Sequence, residues 1–70
     1  MHEVEIRDDS IRLGQLLKLS GMAEHGAHAK ALLDAEEVRV NDVIETRRGR
    51  QIVPGDQVAV DEATFRVTRQ

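Results

Sequence analysis

The chain has 70 residues, with 13 acids against 10 lysines and arginines, a formal net charge of −3, and no cysteine. A single domain over residues 1–70 is expected, with a small core, because a chain this short buries only about 60% of its unfolded surface. The composition excludes disulfides and thiolate metal sites, offers no apolar run of membrane-spanning length, and argues against a deep substrate pocket.

Val4 and Ile6 alternate with Glu3, Glu5 and Arg7, the period of a short strand. Asp8-Asp9-Ser10 interrupts that pattern, and Ser10 is the expected N-cap of a helix over about residues 11–19. Leu13, Leu16 and Leu17 give this helix one apolar stripe, and Ser20-Gly21 ends it. A second helix is predicted over about residues 26–35, with Ala29, Leu32 and Leu33 turned inward.

From Val38 the period becomes two, with Val38 and Val40 on one face and Arg39 on the other. Asn41-Asp42 is a two-residue turn, since both residue types tolerate positive φ, and Val43-Ile44-Glu45 returns as the partner strand. Pro54-Gly55 makes another turn, Gln57-Val58-Ala59-Val60 a strand, Asp61-Glu62-Ala63 a turn, and Thr64-Phe65-Arg66-Val67 the last strand. The expected fold class is α+β: two N-terminal helices packed on a small, mostly antiparallel sheet. Its core is built from Leu13, Leu16, Leu17, Leu32, Leu33, Val38, Val40 and Val58, with Phe65 also spent inside.

Charge is segregated. Residues 46–55 hold Arg47, Arg48 and Arg50 and no acid, so this stretch carries +3 and the remainder carries −6. A binding face depends on local potential, because salt screens charges beyond about 8–10 Å. Arginine's planar fork matches phosphate oxygens in pairs, and Gly49 is expected to let the loop turn so that its neighbours splay toward one ligand. The plainer alternative is a solvated basic loop. The start of the second helix is a further anion site, with small Gly26 and Ala27, His25 at its mouth and Lys30 one turn on.

His25 and His28 stand three apart, yet with only His2 beside them no metal site is expected. No pair of residues reads as nucleophile and base, so no catalysis is expected. Aromatic platforms for stacking bases are missing, which favours recognition of nucleic-acid shape and backbone over base sequence. The first residues lack the basic start of a signal peptide, and a soluble cytoplasmic protein is expected.

Arg12-Leu13 opening the first helix, Ala29-Lys30-x-Leu32-Leu33 in the second, and Val38-Arg39-Val40-Asn41 after it together resemble the S-four-type RNA-binding domain. This is the αL-motif domain of ribosomal protein S-four, and the likeness runs from residue 11 to about residue 60. Ala27-His28-Ala29-Lys30 and Glu45-Thr46-Arg47-Arg48 look most similar to its short, stand-alone bacterial members. A translation-related protein, monomeric and without cofactors, is expected. The resemblance implies binding of structured RNA (rRNA, tRNA or the ribosome) through a face made by the two helices and the following turn. By position it implies RNA contacts at Arg12, Lys30, Arg39, Arg47, Arg48 and Arg50, with Lys18, His25 and Gly26 as secondary contacts. Three positions depart from the family pattern: Gly14 stands where Asp is frequent, His25-Gly26 where Ser-Arg is frequent, and Asp42 where Gly is usual. The second departure shifts the work toward Arg47, Arg48 and Arg50. The alternative function is a protein-interaction module whose acids, Asp34, Glu36, Glu37, Asp61 and Glu62, dock a basic partner such as a ribosomal protein.

Overall fold

A computed structural model describes residues 2–70. In chain order these form β1 (His2–Ile6), β2 (Ile11–Arg12), α1 (Leu13–Leu19), α2 (Gly26–Asp34), β3 (Val38–Val40), β4 (Val43–Ile44), β5 (Gln51–Ile52), β6 (Gln57–Val60) and β7 (Ala63–Arg69). Five strands make one sheet in the order β1-β7-β6-β3-β4, and β2 pairs with β5 in a separate two-stranded ladder. The β1·β7 pairing is parallel, and the other pairings are antiparallel.

Alternation along the strands decides which face is buried. Val4, Ile6, Val38, Val40, Val58, Val60, Phe65 and Val67 point to one side and meet Leu13, Leu16, Leu17, Ala29 and Leu33 from the two helices. Arg39, between two fully inward valines, projects from the opposite face of the sheet. The β3–β4 hairpin turns through Asn41 at φ 51° and Asp42 at φ 70°, the two left-handed residues a type I′ turn requires. Asn41 also ties this hairpin to the start of β6: its Nδ2 donates to Asp56 Oδ1 at 3.0 Å and its Oδ1 accepts the Gln57 N–H at 3.0 Å.

Several expectations are corrected. The first element is a strand, so the helices do not open the fold: β1 is an integral edge of the sheet, brought there by β7 from the far end of the chain. Ser10 does not cap α1. Its Oγ donates to Gln51 Oε1 at 2.8 Å, and Ile11 and Arg12 leave the helix to pair with Ile52 and Gln51. The helix therefore starts two residues later than expected, with Arg12 at its N-cap position and no side-chain cap. Leu32 is only half-buried at the core's edge, whereas Leu33 is fully enclosed. Ile52, fully buried, is a core residue that no regular pattern in its surroundings marked. Gly49 has no positive φ and open space where a Cβ would stand, so the loop's shape does not depend on it.

Candidate nucleic-acid interface

The loop between β4 and β5 supplies what α1 lacks. The backbone N–H groups of Leu13 and Gly14 donate to the carbonyl oxygens of Arg50 at 2.9 Å and Arg48 at 3.0 Å. These are two of the N–H groups that a helix start leaves without internal partners. The basic loop is thus bound to α1 by its own backbone, and β2·β5 holds Arg12 beside it through the Arg12–Gln51 register. Gly14 completes the fit: a Cβ there would sit 3.4 Å from the Cβ of Arg48. Arg48 therefore lies directly against the first turn of α1.

An open cleft of about 510 Å³ results, walled by the exposed face of α1, the start of α2 and this loop. Arg12, Gln15 and Lys18 line it at three-residue intervals along α1, Arg48 and Gly49 come from the loop, and Gly26 and Ala29 from α2, with Gly14 between. Three cations face it and no carboxylate lines it. Gly26 and Ala27 occupy the first turn of α2, where N–H groups precede the helix ladder and the helix dipole is positive.

Of the residues singled out in the sequence, the cleft gathers Arg12, Arg48, Lys18 and Gly26. Arg47 and Arg50 flank Arg48 along the chain but are tied to Glu45, which is 6% exposed. Lys30 lies outside the cleft lining and pairs with Asp34 at 2.6 Å on the exposed side of α2. Arg39 is on the far side of the sheet. His25 is the N-cap of α2, its Nδ1 accepting the His28 N–H at 3.2 Å, while His28 Nδ1 accepts the Glu24 N–H at 3.0 Å. Among the described residues no cluster of three or more His, Asp or Glu gathers as metal ligands.

Two residues of this region escaped the sequence reading. Gln15 is legible in retrospect, since it shares the polar stripe of α1 with Arg12 and Lys18, opposite the leucines. Glu45 is not, because its place at the end of the expected strand Val43-Ile44-Glu45 carries no sign of a loop folding back over it. Arg47 donates to its carboxylate and holds it well below the usual carboxylate range, at about 2; burial opposes this and the hydrogen bond from Arg50 reinforces it. The loop's local charge is accordingly smaller than its three arginines suggest.

The acids collect elsewhere. Asp34 ends α2 and Glu36 and Glu37 follow it, and the N–H of Asp61 donates to the Glu37 carbonyl at 3.3 Å, bringing the β6–β7 turn with Asp61 and Glu62 alongside. Eight residues of helix, about 12 Å at 1.5 Å each, separate Asp34 from Gly26. Charge segregation in the sequence has become segregation in space.

Comparison with known proteins places the chain among relatives. A family model described as the S4 domain matches residues 4–68. The "probable ribosome maturation protein RlbA" of Bacillus subtilis is 41% identical over 58 residues, 83% of this chain and 82% of that protein. The "putative RNA-binding protein YbcJ" of Escherichia coli is 41% identical over 49 residues, 70% of each. A solution structure of YbcJ from Escherichia coli, described as revealing an αL motif involved in RNA binding, matches with a TM-score of 0.74 at 32% identity, covering 97% of this chain and 87% of that one. Spanned almost from end to end by the family model and sharing its fold with a solved relative, the chain belongs to the S4 domain family.

Proposed function

We propose that the protein binds structured RNA through phosphate contacts in the cleft and carries out no catalysis. The observation that carries this reading is the convergence of Arg12, Lys18 and Arg48 with the start of α2, in a cleft without a carboxylate, on a chain whose net charge is −3. The RNA-binding and ribosome-maturation descriptions of its relatives support the same reading, and the latter favours rRNA over tRNA. Arg47 and Arg50 act as outer contacts beside Arg48, and Lys30 and His25 as peripheral ones. Arg39, on the opposite face of the sheet, stands apart from this contact surface. The setting we propose is cytoplasmic, with the protein acting as a monomer.

The test is fluorescence anisotropy on a structured RNA fragment across a salt series. Each neutralised phosphate contributes about −0.7 (single strands) to −0.9 (B-form DNA) to the slope of log affinity against log salt. Replacing Arg12, Lys18 and Arg48 together with alanine should flatten that slope by about two to three units. Affinity should fall alike for different sequences of one shape, because phosphate contacts carry no base information. An unchanged slope, with the fold intact by circular dichroism, favours the second reading: a protein-interaction module. The acidic end formed by Asp34, Glu36, Glu37, Asp61 and Glu62 is the surface that would then dock a basic partner.

A further inference from the structure

Glu45 is the one buried charged side chain among the described residues. It stands immediately before the basic loop, where bulk electrostatics makes it a liability to a polyanion site. Its surroundings explain its presence. Oε2 accepts the backbone N–H groups of Thr46 and Arg47 and the Nε of Arg47, each at 3.1 Å. Oε1 accepts Nη2 of Arg47 at 3.1 Å and Nη1 of Arg50 at 3.0 Å. Five donors from one short loop converge on one carboxylate. The Glu45 backbone is in turn fixed to the sheet, its N–H donating to the Val38 carbonyl at 3.0 Å.

Arg48 is absent from this set. It sits between the two arginines whose guanidinium groups are bound to Glu45, and its own carbonyl is held by the Gly14 N–H. The chain of contacts runs from β3 to Glu45, from Glu45 to both ends of the loop, and from the loop to Arg48 against α1. We propose that Glu45 is a positioning residue for RNA binding: its carboxylate holds the 46–50 loop so that Arg48 faces the cleft and Arg47 and Arg50 flank it as pre-ordered guanidinium forks. This rests on the RNA-binding reading of the cleft. Ordering a long side chain only at the moment of binding weakens affinity by about two- to tenfold per side chain, and Glu45 removes that cost in advance.

The sign of one mutation separates this role from simple electrostatics. Glu45→Gln removes a negative charge beside the cleft, so charge alone predicts tighter RNA binding; positioning predicts binding weaker by about tenfold. Glu45→Asp keeps the charge and loses the reach, and it should weaken binding as well, carrying the test if the glutamine variant folds poorly. The assay is anisotropy on an RNA hairpin, with stoichiometric titration to count the folded, competent fraction. The same glutamine substitution is repeated in an Arg48→Ala background, where it should cost clearly less than in the unaltered chain, because one of the three side chains it positions has gone. Unchanged or tighter binding by Glu45→Gln overturns the proposal, as does an equal loss in both backgrounds, which would mark a structural role only. Should Arg48→Ala alone leave affinity intact, the cleft reading itself falls and this role falls with it. Should Arg48→Ala weaken binding while the Glu45 variants do not, the positioning role alone is lost.

Discussion

Acidification should expose the contribution of Glu45 to the fold. Its carboxyl is lowered from 4.5 to about 2 in the folded state. A depressed carboxyl pKa adds stability that is fully present above about pH 4.5 and disappears as the pH falls through about 2. At 1.36 kcal/mol per pH unit the full difference corresponds to about 3 kcal/mol. The Arg47 side chain that contributes most is 74% exposed, so water screens part of this, and about 2 kcal/mol is the expected contribution. The perturbation is Glu45→Gln, compared with the unaltered chain by urea unfolding at pH 7, 5, 4, 3 and 2. Far-UV circular dichroism is the readout, because the chain has no tryptophan or tyrosine. Other carboxylates titrate in the same window, but they do so in both proteins, and the difference isolates Glu45. The stability gap should be constant from pH 7 to about 5 and then narrow by about 2 kcal/mol by pH 2. A gap that stays flat across the series would refute the ion-pair account of the loop.

Leu33 is fully buried, and Leu33→Ala should cost about 2–5 kcal/mol, read as a lowered urea midpoint; a loss below about 1 kcal/mol would mean that α2 packs differently. Asp42 holds φ at 70°, so Asp42→Gly should stabilise the hairpin by about 0.5–1 kcal/mol, and a lower melting temperature would contradict the type I′ turn. Gly14→Leu should displace Arg48, whose Cβ would lie 3.4 Å from a new Cβ, and weaken RNA binding while circular dichroism stays unchanged; full affinity would detach Arg48 from the interface. Zinc should leave the melting temperature unaltered, since a ligand of the folded state at a hundredfold excess over its dissociation constant adds about 2.7 kcal/mol; a rise abolished by His28→Ala would reveal a metal site.

Period and turn chemistry carried most of the fold. The leucine stripe of α1, the alternation of β3, β6 and β7, and the left-handed Asn41-Asp42 pair are local signals, and local signals survive in a linear sequence. What escaped depended on distance. No property of Val4 or Ile6 announces a parallel partner some sixty positions away. Ile11-Arg12 reads as helix until Gln51-Ile52 arrives to pair with it. The site followed the same division. Arg12, Lys18, Gly26 and Arg48 were each visible as candidates, but only tertiary packing shows that they share a cleft while Lys30 and Arg39 do not line it. Glu45 was hidden most deeply, because its burial comes from the loop that folds over it.

The β1·β7 ladder bears on how the molecule assembles and opens. β1 is hydrogen-bonded through β7 alone, whereas β3 and β6 each have neighbours on both sides. Its docking must wait for residues far along the chain, and contacts of long sequence separation close late in folding. The helices and the β3–β4 hairpin, by contrast, join neighbouring segments. In the native state, β1 amides should therefore exchange with solvent through a partial opening that costs less than global unfolding. The residues lining the cleft all lie between positions 12 and 49, outside both β1 and β7. Detachment of β1 thus leaves a partly open molecule in which none of the cleft's lining has been removed.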